Sequence, residues 1–550
     1  MRYTRPKDSD ALYYLGVVQR RLHKNKEAYG NFYDATWNAG WHAPAYHQLA
    51  ELDCENGDYE TALEHIDRAL STDVNNLKAL SLKVVIMRKL GMFEKAQDLA
   101  ERIMEKDLLD YQSRNELYRI RKELKQNRLA EAILDELYNI MQDRVQSYIE
   151  FATVYSNCGF YEEAIDILSR LEEKENQFPM VYYYLGYFWS KLNDREKAQQ
   201  YFAIAQLKPH LYCFPFRDES VEVLNEAINY YPDDAMACYY LGNLYYELQP
   251  EKAIGLWEKS QAIDDGFYIV QRNLALAAKE QQDDPVKAAN LYGEAFANNN
   301  EDPRLMYEYD IALEQDGIPP KDRYEKVFRD NRYISQQKSS TFLREIELLI
   351  FLGQYNEVID ILNTAEFVES EGSRTLRDIF LDVHILRSLQ EYQAGNYEAA
   401  AGDMKTALDY PIGRWGSERR AQMYYLLGTY YEKLADNAAA EDCYEKAINE
   451  IADRTEYHYE KGLAFRKLRQ SENSRKEFNA LLEMADRRGE ADVFRSFEAA
   501  STGSARLARN YYLRGLAYLG MERNNEARAQ FARALELDPA HLWASYRLNE

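Results

Sequence analysis

The chain carries an alanine every 34 residues along its N-terminal part. The six are Ala28, Ala62, Ala96, Ala130, Ala164 and Ala198. A fixed period of about 34 residues is typical of an array of helix–turn–helix units. Such units bury their apolar faces against their neighbours in the array, so the period predicts an all-α solenoid.

Two further columns of residues follow the same period. An apolar residue stands four positions after each alanine, on the same helical face; these are Phe32, Ile66, Ala100, Leu134, Leu168 and Phe202. A pair that often contains a small residue lies twelve and thirteen positions before the alanine, as in Leu15 and Gly16 or Leu185 and Gly186. We expect the small residue to let the two helices of a unit approach closely.

This pattern of a Leu-Gly pair, Ala, an aromatic residue, Ala and a closing Pro resembles the tetratricopeptide repeat. The last unit carries it best, at Gly515, Ala527, Phe531, Ala534 and Pro539. The resemblance implies a right-handed superhelix of about 13 or 14 helical pairs. It also implies that the first helix of each unit lines the inner wall of the superhelix.

The period becomes irregular after residue 207. Between Gly186 and Gly242 lie 56 residues, which is 22 more than one period, and the surplus contains Phe214, Pro215 and Phe216. We therefore predict six regular repeats in 1–207, an irregular connector in 208–220 and a second block of repeats with lengthened loops in 221–550.

Charge and composition exclude several classes of function. The net charge of -24 disfavours nucleic acid as a partner, because phosphate neutralisation needs a basic surface. No apolar run reaches the ~18–20 residues that cross a bilayer, and the N-terminus lacks the apolar core of a secretory signal. The five cysteines are odd in number and far apart, which fits a reducing cytoplasm.

The chain shows none of the common catalytic or phosphate-binding motifs. His42 and His47 are five residues apart with Pro44 between them, so they do not share a helical face as metal ligands would. The sequence therefore predicts a protein that is not an enzyme and that needs no metal or cofactor.

The inner wall is the predicted site of partner binding, by analogy with tetratricopeptide proteins. Tyrosines recur at one inward position, and the first units add basic residues there. The candidate contacts are Tyr13, Arg20, Arg21, His47, Arg88, Lys89, Tyr183, Tyr187, Tyr239, Asn243, Tyr246 and Tyr425. Alternatively, the tyrosines pack between repeats, and the basic residues pair with Glu51, Glu55 or Glu123.

If the basic residues face an open groove, they would attract an acidic peptide. Reversing Arg20, Arg21, Arg88 and Lys89 to Glu should then leave the melting temperature almost unchanged, because exposed side chains contribute little to stability. Two segments with tryptophan, around Trp37 and Trp41 and around Trp415, are further candidates for contact with a protein or sugar, or for packing between units.

Several segments, including Cys213 to Arg217 and Tyr240 to Tyr246, resemble the C-terminal repeat half of large bacterial proteins. In those proteins a β-sandwich domain of unknown function precedes the array, often in a carbohydrate-related setting. We expect a scaffold in a bacterial cytoplasm that binds a protein or peptide in its groove. The alternative is an accessory repeat half that contacts glycan or a β-sandwich partner.

Overall fold

The computed structural model describes residues 9–172, 177–368, 375–410, 419–451, 455–486 and 503–550, and within them it contains helices and connections but no strand. The predicted all-α solenoid is confirmed. The chain divides into two units, Met1–Asp264 and Asp265–Glu550. The division lies beyond the predicted connector 208–220, which falls inside the first unit.

The first unit contains fifteen helices among its described residues. They are α1 (Ser9–Arg21), α2 (Asn25–Ala35), α3 (Ala39–Glu55), α4 (Tyr59–Thr72), α5 (Leu77–Lys89), α6 (Phe93–Lys106), α7 (Tyr111–Glu123), α8 (Asn127–Met141), α9 (Val145–Ser156), α10 (Tyr161–Glu172), α11 (Pro179–Lys191), α12 (Arg195–Gln206), α13 (Glu219–Tyr230), α14 (Ala235–Tyr245) and α15 (Pro250–Ile263). Helices α1 to α12 form six consecutive antiparallel pairs, and α14 pairs with α15.

The second unit contains sixteen α-helices among its described residues. Its helices are α16 (Tyr268–Glu280), α17 (Pro285–Asn298), α18 (Pro303–Gln315), α19 (Pro320–Arg323), α20 (Arg332–Ser335), α21 (Ser339–Phe351), α22 (Tyr355–Thr364), α23 (Thr375–Gln393), α24 (Tyr397–Leu408), α25 (Arg420–Lys433), α26 (Asn437–Asn449), α27 (His458–Lys467), α28 (Ser471–Asp486), α29 (Gly503–Gly520), α30 (Asn524–Leu537) and α31 (Leu542–Asn549). A π-helical turn, Tyr324–Phe328, lies between α19 and α20.

The turn inside each of the first six pairs repeats the 34-residue period in its backbone conformation. One residue per turn has a φ between 56° and 78°; the six are His23, Gly57, Gly91, Lys125, Gly159 and Asn193. Glycine adopts this left-handed conformation without a steric penalty, and it stands at three of the six positions. The reversal of direction between paired helices is thus encoded locally.

Close approach of paired helices depends on glycine, as the sequence predicts. A Cβ atom added to the glycine of the first helix would lie less than 3.0 Å from an aromatic ring of the second helix. The pairs are Gly16 with Phe32, Gly186 with Phe202, Gly242 with Trp257, Gly428 with Tyr444, Gly462 with Phe478 and Gly515 with Phe531. Each ring therefore fills the space that a side chain would otherwise occupy, which closes the core of the pair.

Two segments depart from the regular pairs. Residues 207–218 take the place of a first helix ahead of α13; Cys213 is buried there, whereas Tyr212 and Phe214 are exposed. In the second unit, the segment after α18 is built from short helical pieces. Arg323 is buried in it and donates two hydrogen bonds of 2.8 Å to Asp310.

Candidate functional site

The predicted basic residue Arg20 of the first unit is held by acceptors of that same unit. Arg20, near the end of α1, donates hydrogen bonds to Gln48 (2.8 Å), to Glu51 of α3 and to the carbonyl oxygen of Asn157 after α9. His47 Nε2 lies 3.3 Å from Glu51. Burial alone would raise the pKa of Glu51, but the Arg20 charge and the His47 hydrogen bond lower it to about 2. These bonds join the first repeat to the fifth.

A second charge cluster links α5, α7 and α10. Arg88 donates to Glu116 (2.5 Å) and to Glu163 (3.1 Å), and Lys89 Nζ lies 2.6 Å from Glu163. Arg88 is only 6% exposed, and the two carboxylates are 0% and 5% exposed. Burial alone would raise the pKa of Glu163, yet Lys89 and Arg119 lower it to about 2. Buried charges in this arrangement stabilise each other and cannot be removed singly without a large cost.

This burial corrects the expectation that charge reversal would leave stability unchanged. Arg21 is the most exposed of the four residues, with 45% of its side chain accessible and its guanidinium 3.0 Å from Glu219. A glutamate at position 88 would instead face Glu116 and Glu163 in a buried site. Binding of an acidic partner by these residues stays a prediction.

The tyrosines proposed as ligand contacts in the first unit are largely buried. The Tyr183 hydroxyl donates to both oxygens of Asp234, at 3.1 and 3.0 Å, and the Tyr187 hydroxyl donates to Glu222 at 2.5 Å. Tyr239 is buried as well. Burial raises the pKa of Asp234 to about 6. These rings pack between repeats, which is the alternative that the sequence left open.

The other candidate contacts of the first unit are half-buried against tryptophans. The Tyr13 ring stacks on Trp41 with 4.5 Å between ring centroids. The side-chain oxygen of Asn243 accepts a hydrogen bond of 3.2 Å from the Trp257 indole, and the Tyr246 ring lies 5.0 Å from the Trp257 ring. All three residues retain some accessible surface.

Of the two tryptophan segments, the one with Trp37 and Trp41 lies within the described residues. Trp37 is 85% exposed, whereas Trp41 packs against Tyr13 and donates a hydrogen bond to Asp10. Trp415 lies outside the described residues.

In the second unit, the C-terminal helix α31 lies against residues from four helical pairs. The contacts of the helix include Asp382 of α23, Arg419 at the start of α25, and Tyr459 and Glu460 of α27, and its N-cap residue His541 contacts Tyr512 of α29. We call this surface, defined by these five residues, the α31 groove. Each of its helices is the first of its pair, so the groove is the part of the inner wall that α31 covers.

Trp543 makes the most extensive contacts of α31. Its ring packs against three apolar clusters, which are centred on α21 to α23, on α23 to α26 and on α27 to α30. Its indole N–H donates a hydrogen bond of 3.0 Å to Asp382. The guanidinium of Arg419 lies 5.3 Å from the ring centroid and also binds Asp382, at 2.5 Å. One side chain thereby combines apolar burial, a hydrogen bond and a cation–π contact.

Arg547 provides the second polar contact. Its guanidinium donates to Glu460 at 3.3 Å and lies 5.1 Å from the centroid of the Tyr459 ring. Glu460 is buried, and this burial raises its pKa to about 7 although the Arg547 charge opposes the rise. The predicted residue Tyr425 lies close by, and burial raises its pKa to about 12, with the Glu460 charge adding to the effect.

The sequence pattern could have identified one residue of the α31 groove that was missed. Tyr459 precedes Gly462 by three residues, as Tyr425 precedes Gly428 and Tyr512 precedes Gly515. Asp382 and Glu460 carry no comparable signal, because the chain has 92 acidic residues and no spacing singles these two out.

The described residues lack the features of a metal site and of a membrane-spanning helix. Within the described residues, no three His, Cys, Asp or Glu side chains gather as metal ligands. No helix there combines the length and apolar character needed to cross a bilayer. The five cysteines are buried free thiols.

Two segments of the chain, residues 421–453 and 508–541, match the family model of the tetratricopeptide repeat. They fall on the pairs α25 with α26 and α29 with α30, where Gly428 and Gly515 meet their aromatic partners. The chain therefore contains tetratricopeptide repeats, as the last unit of the sequence predicts.

Three solved structures illustrate how distant the similar folds are. The APC/C hetero-tetramer Cut9-Hcn1 is 13% identical over 100% of this chain and 97% of that chain, with a TM-score of 0.25. A monomeric IFIT1 mutant with m7Gppp-AAAA is 16% identical over 84% and 90%, with a TM-score of 0.19. The TPR domain of P58(IPK) is 11% identical over 86% and 98%, with a TM-score of 0.22. Similarity at this level carries no information about the ligand.

Proposed function

We propose that this protein is a non-catalytic scaffold that binds a helical segment of a partner protein in the α31 groove. The observation that carries the proposal is α31 itself. It is a helix of eight residues, and its side chains are held by residues of α23 and α27 and by Arg419 at the start of α25. A surface that accommodates one short amphipathic helix has the shape and the polar groups to accommodate another.

The other candidate ligands draw less support from the arrangement of side chains. An acidic peptide would have to compete with Glu51, Glu116 and Glu163 for Arg20 and Arg88. A glycan needs accessible rings, and Tyr183 and Tyr187 are buried. The bacterial cytoplasm remains the location we propose, because buried free thiols suit a reducing compartment.

Selection of binding peptides tests this function. A displayed library of helical peptides is selected against the immobilised full-length chain and, in parallel, against the double variant Trp543→Ala/Arg547→Ala. At pH 8, above the pKa of Glu460, we expect peptides whose affinity falls at least about tenfold on Asp382→Asn or Glu460→Gln, since each change removes a charged hydrogen-bond acceptor. The matched controls are Asp442→Asn and Glu522→Gln, whose carboxylates are exposed.

The control variants should bind every selected peptide like the wild type. The proposal is wrong if the peptides selected on both chains bind the groove variants with unchanged affinity. Binding would then lie elsewhere, and the exposed aromatic residues Tyr212, Phe214 and Phe216 would be the next surface to test.

A further inference from the structure

We infer that the partner of the α31 groove is an amphipathic helix with aromatic residues at positions i and i+3 and an arginine at i+4, and that it binds by displacing α31. The inference rests on the proposed function and adds two things to it, the chemistry of the partner and competition with a segment of the same chain.

The chemistry follows from the spacing of the side chains that α31 presents. Trp543, Tyr546 and Arg547 stand at i, i+3 and i+4, so they share one face of the helix. Trp543 and Tyr546 pack against the apolar cluster formed by α21, α22 and α23, and Arg547 reaches Glu460 of α27. One face of a short helix therefore spans helices that lie far apart in the sequence.

The polar groups of the α31 groove determine which side chains a helix that replaces α31 must carry. Without α31, Asp382 keeps Arg419 but loses an N–H donor. Glu460 keeps Gln422, which donates at 3.3 Å, but loses its arginine. A buried carboxylate without a cation is costly. A competing helix must therefore bring an arginine for Glu460 and an aromatic ring, best an indole, for Asp382.

Helix α31 lies after the last helical pair, α29 with α30. It is joined to α30 by the short connection Asp538–His541 and ends at Asn549. Its first turn is held by a local cap, in which His541 accepts a hydrogen bond of 3.2 Å from the Ala544 N–H. A helix of this length is marginal when isolated in water. Release therefore costs the groove contacts and also the packing of α31 on the last pair, where Ala544 belongs to the same apolar cluster as Phe531 and Ala534, whereas every other helix of the groove stays packed in its pair.

Tethering makes α31 a strong competitor. A segment on a short linker acts at an effective concentration of roughly millimolar, so a free helix of equal intrinsic affinity binds weakly until α31 is weakened or outcompeted. The affinity of a groove-binding peptide should thus depend on the anchoring of α31, even when the groove is unchanged.

The test uses a fluorescent peptide of residues 538–550 titrated onto the full-length chain. We expect it to bind Trp543→Ala/Arg547→Ala at least about tenfold more tightly than the wild type, because the internal competitor is weakened. A peptide carrying the same two alanines should bind neither chain. Trp37→Ala/Arg533→Ala is the matched control, since both side chains are exposed, and it should bind like the wild type.

A second variant leaves every groove contact unchanged. Inserting about 20 Gly and Ser residues between Pro539 and Ala540 lowers the effective concentration of α31 roughly tenfold. We expect a matching gain in peptide affinity, together with faster amide hydrogen exchange in α31 when the peptide is added.

Equal peptide affinity for the wild type, the double variant and the insertion variant would overturn the inference. If the library selection then still yields groove-dependent binders, the proposed function stands and displacement of α31 is wrong. If neither the peptide nor any selected binder depends on Asp382 or Glu460, both proposals fail.

Discussion

The two units fill their interiors with different kinds of contact. In the first unit, charged side chains of the repeats meet one another, as Arg88 does with Glu116 and Glu163. In the second unit, the aromatic and basic side chains of a terminal helix, Trp543 and Arg547, cover the inner wall. Buried ion pairs also occur in the second unit, as between Arg323 and Asp310, but there a helix outside the pairs covers part of the inner wall.

Because of this difference, we expect the ion pairs of the first unit to be structural and the contacts of α31 in the second unit to be displaceable. Arg88 and Glu116 belong to helices with chain on both sides, so their separation requires that repeats come apart. Helix α31 lies outside the helical pairs, so we expect it to open locally, at a lower free energy than global unfolding. An inner wall that looks similar in the repeat pattern can therefore serve as a core in one unit and as a binding surface in the other.

The largest effect is expected from shortening the first unit. A chain of residues 1–207 lacks α13 to α15 and leaves Tyr183, Tyr184 and Tyr187 without the partners that bury them. Each buried aromatic side chain contributes about 1.5–3 kcal/mol, so 1–207 should be less stable than 1–264 by about 5 kcal/mol or more. Circular dichroism melts and size-exclusion profiles of the two fragments measure this. Equal melting temperatures would place the end of the unit at the predicted connector.

Removal of one buried charge should be the next largest effect. Arg88→Ala leaves Glu116 and Glu163 short of a cation in a buried site, and we expect a loss of about 3–5 kcal/mol in the free energy of unfolding. Arg21→Ala is the matched control; its exposed ion pair with Glu219 should contribute less than about 1 kcal/mol. Similar melting temperatures for the two variants would refute the buried network.

Glu163 of the first unit and Glu460 of the second should change stability with pH in opposite directions. The pKa of Glu163 is about 2 in the folded chain and about 4.3 when unfolded. Its contribution to stability, about 3 kcal/mol, is therefore present above pH ~4.3 and is lost as the pH falls toward 2. Melts of Glu163→Gln from pH 3 to pH 8 should show a deficit against wild type that shrinks on acidification.

Glu460 should change the stability with pH in the direction opposite to Glu163. Its pKa is about 7 in the folded chain, so the folded state holds a proton that the unfolded state has already released. The contribution of Glu460 to stability should be most favourable below pH ~4.3 and should fall as the pH rises toward 7. Glu460→Gln should therefore gain stability relative to wild type across that interval. A deficit that is constant with pH would mean that Glu460 is ionised throughout.

The smallest predicted effect is local opening of α31. Arg547→Ala removes a charged hydrogen bond, a loss of about 1.5 kcal/mol or more, and should speed amide exchange in α31 about tenfold while α5 to α10 keep their protection. Arg533→Ala, on the exposed face of α30, serves as the control. Faster exchange throughout both units would show that α31 is part of the cooperative core.

Much of the fold could be predicted because it is local. The 34-residue period, the left-handed turn residues such as Gly57 and Gly91, and the glycine–aromatic contact of Gly515 with Phe531 involve one pair of helices or its neighbours. Such features recur from one repeat to the next, so each occurrence supports the interpretation of the others. The pattern also directs tyrosines such as Tyr425 and Tyr512 to the inner wall of the second unit.

The contacts between residues far apart in the sequence are of another kind. Arg20 meets Asn157 across 137 residues, and Trp543 meets Asp382 across 161. Their meeting depends on the small rotation between successive repeats, summed over several of them. No spacing in the sequence encodes that sum, and no pattern marks Glu460 or Asp382 among 92 acidic residues. The sequence alone therefore establishes a solenoid of paired helices, whereas only the tertiary structure, through this accumulated rotation, decides which inner residues are paired and which surface a terminal helix covers.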